Sequence, residues 1–162
     1  MRSLKALALV GALLIAAPAS AELSVSPLGD IYESFNDCLK VAQQEGLNKE
    51  TLASLGWLRA TITGPDGKPV AEQPIIYGNP KRKPVILLSA ESGRGACIVM
   101  ARIDQASTYS EFLKAWGSKL PAPDKDGAIA FFDEGHIVVI RQTGTNERPA
   151  LSMAVATPLE KK

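Results

Sequence analysis

His136 is the only histidine in this chain, and that bounds its chemistry more tightly than any motif. A histidine-rich zinc site is ruled out, and a Ser-His-Asp or Cys-His catalyst would have to use this one imidazole. His136 follows Asp133 and Glu134 at a hairpin, the setting of a surface histidine beside solvated acids. No G-x-S-x-G elbow, H-E-x-x-H helix or S-x-x-K pair accompanies it. No cofactor is implied.

The two cysteines, Cys38 and Cys97, have two chemistries open to them. They can be free thiols, one of them a nucleophile, or they can form a disulfide. Neither lies in a C-x-x-C motif. The first 21 residues decide in favour of the bond. Arg2 and Lys5 precede an unbroken apolar run, Ala6 to Ala17, and Pro18-Ala19-Ser20-Ala21 ends in the small residues a signal peptidase accepts. The run is shorter than the ~20 apolar residues that span a bilayer. Residues 1–21 therefore read as a cleavable signal peptide, cut near Ala21–Glu22, that sends the chain to the periplasm or exterior of a bacterium. There an even pair of cysteines is expected to be a disulfide. No cysteine follows the apolar run, which argues against a lipid anchor.

Arginines form the remaining candidates. Arg94 sits between glycines in Ser92-Gly93-Arg94-Gly95, where backbone amides could form an anion nest, although the loop opens a strand and not the helix of a P-loop. Arg59, Arg102 and Arg141 fall inside expected strands among apolar neighbours. If some of Arg59, Arg102 and Arg141 share one face, they line a polar groove that could hold a carboxylate or phosphate; Arg94, Arg102 and Arg141 are the candidate ligand-binding residues. Simple alternation on a solvated sheet face also accounts for the strand arginines. Lys81-Arg82-Lys83 reads as a solvated basic turn between prolines.

These residues need a scaffold, and the periodicity supplies one. A helix is expected from Asp30, its cap, with Glu33 completing a capping box. Ile31, Phe35, Cys38, Leu39 and Ala42 form its apolar stripe, and Gly46 ends it. Asn48 caps a second short helix that closes at Gly56. The period then changes to two. Strands are expected at Trp57–Thr63, Pro74–Tyr77, Val85–Ala90 and Ala96–Asp104. A third helix begins at a Thr108/Glu111 capping box. Three further strands follow at Ala128–Phe132, His136–Thr143 and Ala150–Thr157. In the fourth strand Cys97, Val99, Ala101 and Ile103 point one way, and Ile98 and Met100 the other. A Cys38–Cys97 bond would seat the first helix on the cysteine side.

The expected architecture is α+β: one domain over residues 22–157, with a mainly antiparallel sheet of six to seven strands. An N-terminal helix pair and one middle helix pack against it. Residues 158–162 read as a charged tail. The 162 residues carry 18 basic and 17 acidic side chains. The leader takes two basic ones with it, so the mature chain has a slight acidic excess, unlike a nucleic-acid binder. No later segment is apolar for long enough to span a membrane. The expected function is that of an exported, soluble, non-enzymatic binding module, such as an inhibitor or an envelope accessory. Its partner would be a protein or a cell-envelope component. The alternatives are a binder of an anionic or apolar small molecule and, third, a small hydrolase using His136.

Overall fold

A computed structural model describes residues 23–70 and 74–158. The signal-peptide reading of residues 1–21 and the end of the expected tail, 159–162, lie outside the described residues. The first helix, α1, spans Leu28–Val41. Its cap lies three residues before Asp30, because Pro27 takes the N-cap position with φ −60°. Asp30 is thereby placed in the first turn, where its carboxylate accepts the Lys83 backbone N–H at 3.0 Å. The apolar stripe is buried as its spacing demands, with Ile31, Cys38 and Val41 fully enclosed.

Gly46 does not end this helix. The chain leaves α1 at Val41 and makes a two-strand hairpin, β1 (Ala42–Gln43) and β2 (Gly46–Leu47). A short helix α2 (Lys49–Ser54) follows, and Asn48 caps it by accepting the Thr51 N–H at 3.1 Å.

The strands that come next are β3 (Leu58–Arg59), β4 (Ile75–Asn79), β5 (Arg82–Leu88) and β6 (Ala96–Arg102). Helix α3 (Ala106–Lys114) intervenes before β7 (Ile129–Asp133), β8 (His136–Gly144) and β9 (Pro149–Ala156). Strands β3 to β9 form one antiparallel sheet in the order β3-β4-β5-β6-β9-β8-β7. The protein is thus an α+β fold with a seven-stranded sheet. Strand β3 is far shorter than the expected Trp57–Thr63. Its ladder fades after Ala60 donates to Ile76 at 2.8 Å, since Pro74 has no N–H to continue it.

Among the described residues, α1, α2 and α3 gather on one face of the sheet. The core joins Ile31, Phe35 and Cys38 of α1, Leu52 of α2 and Phe112 of α3 to Ile86, Val99, Val138, Ile140, Leu151, Met153 and Val155 of the central strands. Cys38 and Cys97 form the expected disulfide, with Cα atoms 5.3 Å apart, and it bolts α1 to β6 on that face. α3 begins at Ala106 and so has no capping box. Asp104 instead accepts the Gln105 N–H at 2.9 Å and the Thr108 hydroxyl, just ahead of the helix.

Candidate functional site

The expected chemistry does not assemble. His136 is 7% exposed and is not the surface residue its turn suggests. It is the first residue of β8, and alternation turns it inward with Val138 and Ile140. Its Nδ1 lies 3.0 Å from the Ala156 carbonyl oxygen, so the ring is held by backbone. Among the described residues both cysteines are oxidised, and no cluster of three His, Cys, Asp or Glu could hold a metal ion.

The arginines are separated. Arg94 lies in the loop before β6 and donates to the Pro158 carbonyl at 2.6 Å. Arg102 sits at the far end of β6 and reaches the Leu23 carbonyl at 3.5 Å. Arg141 is exposed on β8, opposite Ser152 of β9. Arg102 and Arg141 share a sheet face, and Arg94 lies beyond its opposite end. Arg59 pairs with Glu91 at 2.5 Å; hydrogen bonding to Arg59 holds the Glu91 carboxyl below the usual carboxylate range. Arg82 is no solvated turn residue. It bonds the buried Asp37 and reaches Glu33 at 3.1 Å, so it ties β5 to α1.

Among the described residues, the face shared by Arg102 and Arg141 is the one without helices. The strand registers lay it out in rows. Phe132, Ile137, Ala156 and Ala96 form one row. Ala130, Val139, Ala154, Ile98, Leu87 and Ile76 form the next. Arg141, Ser152, Met100, Val85, Gly78 and Leu58 form the third. An antiparallel sheet with one wet face normally shows polar residues there. Here two rows are wholly apolar, no row holds an acid, and the basic residues Arg141, Arg102 and Lys83 collect toward one end. Strand β9 presents only small residues, Ala150, Ser152, Ala154 and Ala156. They form a trough between the Ile98/Met100 and Ile137/Val139 ridges. At strand spacings of ~4.8 Å the three rows cover roughly 600 Å².

A second feature lies where α1, α3 and β7 meet. Of nine aromatic residues in the chain, five collect at this corner, Tyr32, Phe35, Phe112, Trp116 and Phe131, and Phe132 borders it from the other face of β7. Tyr32 stacks on Phe112 at 5.1 Å, and Trp116 meets Phe35 and Phe131 edge-on at 5.3 and 5.1 Å. Burial raises the Tyr32 pKa, and its hydroxyl donates to the Phe112 carbonyl at 2.8 Å. A cleft of about 390 Å³ opens there, with Asn36, Lys119 and Asp133 at its rim. The sequence does carry signals for both features. Residues 85–88 are apolar on both faces, and aromatics recur at Tyr32/Phe35 and Phe112/Trp116.

Fold and surface together define a disulfide-braced α+β protein in which the helices of the described residues cover one side of the sheet. Comparison with protein-family models, curated proteins and solved structures finds no match for the chain.

Proposed function

We propose that this is an exported, non-enzymatic binding module, periplasmic or secreted, that docks a protein partner on the helix-free face of its sheet. One observation carries the reading: two apolar rows and a small-residue trough lie open where a two-layer domain would place polar residues. About 600 Å² of sheet plus its rim approaches the ~800 Å² per partner of a standard interface. The absence of acids and the basic end specify the partner, an apolar surface bordered by carboxylates. Export is supported by residues 1–21 and by the disulfide. Among the described residues no helix is long and apolar enough to cross a membrane.

The test is capture from an envelope extract by the mature, oxidised protein, alongside Ala154→Arg and Arg141→Glu. Ala154→Arg blocks the trough and is expected to abolish capture with an unchanged melting curve. Arg141→Glu is expected to weaken it severalfold. Equal retention of the same proteins by all three forms would overturn the reading.

A specific observation keeps the small-molecule alternative in view. A cleft of about 620 Å³ lies between α3 and the end of β8, lined by Tyr109, Leu113, Ile129, Thr143 and Asn146. The buried Thr143 Oγ1 has no hydrogen-bond partner there. No arginine lines it, so its chemistry fits a neutral, partly apolar ligand and not an anion.

A further inference from the structure

The two edges of the sheet are built differently. Strand β3 pairs over only two residues, and the chain that leaves it carries Pro65, Pro69 and Pro74, the usual means of blunting an edge. Strand β7 has none of these guards. Ile129-Ala130-Phe131-Phe132-Asp133 holds no proline and no basic residue. Ala130 is exposed and Phe132 is 74% exposed. β7 is the last strand in the sheet order, so its outer side has no partner among the described residues.

The hairpin fixes which backbone groups face outward. Glu134 (φ 46°) and Gly135 (φ 86°) form a two-residue turn between the paired Asp133 and His136. In such a hairpin the closing pair bonds across the strands, and alternate residues follow suit. Asp133, Phe131 and Ile129 therefore bond β8, while the N–H and C=O of Ala130 and Phe132 point out. An incoming strand would bond these two residues. Its residue between the two bonded positions would lie opposite Phe131, on the helix side, at the aromatic cleft.

We infer that β7 accepts an extended polypeptide segment of a partner protein as an eighth strand, with one large apolar or aromatic side chain seated in the cleft of Tyr32, Phe35, Trp116 and Phe131. Backbone bonding supplies affinity, and the cleft supplies choice of sequence. A second copy does not fit this role. In a symmetric β7 pairing about Phe131 the side chain delivered to the cleft would be the other copy's Phe131, which already packs on its own Trp116 at 5.1 Å. This site shares only Phe132, at the sheet edge, with the helix-free face; Asn36→Trp on the helix side and Ala154→Arg on the open face tell the two apart.

The test is selection of a displayed library of random twelve-residue peptides on the immobilised mature, oxidised protein. Enriched peptides are expected to carry an aromatic or large aliphatic residue flanked by strand-forming residues. A synthetic enriched peptide is expected to slow hydrogen exchange at the amides of Ala130 and Phe132. Its binding is expected to fall at least tenfold with alanine at the central position, and likewise with Asn36→Trp, which plugs the cleft rim, or Ala130→Pro, which removes an outward donor. Phe132→Lys guards the edge without altering the backbone, so it decides the matter if Ala130→Pro does not fold. Ala154→Arg on the open face is expected to leave peptide binding unchanged. No enrichment, binding indifferent to Asn36→Trp and Phe132→Lys, or a β7-dependent dimer in sedimentation that binds no peptide would each overturn the inference.

Discussion

Trp57 donates its indole N–H to Asp37 Oδ2 at 2.9 Å, joining the α2–β3 junction to the buried side of α1. Asp37 is 3% exposed at its side chain and also receives Arg82, whose guanidinium lies 6.0 Å over the Trp57 ring. One carboxylate thus holds two elements to the helix. Asp37→Ala would leave Arg82, only 20% exposed, without its buried counter-charge and Trp57 without an acceptor. The expected loss is about 3–5 kcal/mol, the cost of breaking a buried ion pair from one side. Asp37→Asn keeps an acceptor for Trp57 and is expected to lose less. Urea denaturation of the two variants beside the parent checks the order.

The disulfide closes a loop between residues 59 apart. The chain-entropy model assigns such a loop about 4 kcal/mol. A Cys38→Ala/Cys97→Ala double variant is expected to unfold at lower urea by that amount while keeping its far-ultraviolet spectrum. Reductant should shift the parent's midpoint toward the variant's and leave the variant unmoved. A double variant as stable as the oxidised parent would show that α1 holds its place on β6 by packing alone.

The contrast between these two ties shows what a linear reading can reach. The Cys38–Cys97 bond was legible because the leader, the even cysteine count and the lack of a C-x-x-C motif all pointed to it. The period-two segments located seven strands, because side-chain alternation is written residue by residue. The Asp37–Trp57–Arg82 cluster was not legible. Its members are 20 and 45 positions from Asp37, and Arg82 looked like one cation in a basic turn. His136 misled for a related reason: two acids beside it suggested water, but the tight turn rotates the next residue inward. The open sheet face was half legible. Apolar residues on both sides of Val85–Ala90 imply an interior strand, and only the fold shows that the described helices cover one of its faces.

The start of α3 should respond to acid. The Thr108 hydroxyl, followed by the Gln105 N–H, holds the Asp104 carboxyl below its ordinary range. A group with a depressed folded value contributes stability above its unfolded pKa, near 4, and loses it as pH falls through the folded value. Below about pH 4 the Ala106–Lys114 helix is therefore expected to open more readily, read as faster hydrogen exchange over its first turn. Asp104→Asn is expected to flatten that pH dependence and to leave exchange at α2 unaltered. An unchanged profile in the variant would assign the acid response to other carboxylates, Glu91 first among them.

Gly46 marks where the α1–α2 connection is pressed against the loop before β6. Its φ is 131°, a backbone region costly for any side chain. A Cβ there would lie 2.5 Å from the Gly93 carbonyl oxygen, which accepts the Leu47 N–H at 2.8 Å. The obstruction is backbone, so it cannot be relieved by a rotamer change. Gly46→Ala must either break the Leu47–Gly93 bond or shift the loop, and the expected cost is about 3 kcal/mol. Gly67 separates the two contributions. Its φ is 74°, but no atom lies within 4 Å of the place a Cβ would take, so Gly67→Ala carries the conformational cost alone, about 1 kcal/mol. Thermal melts of the two variants should therefore differ by several degrees. Equal shifts would mean that the close approach to Gly93 adds nothing to the folded state.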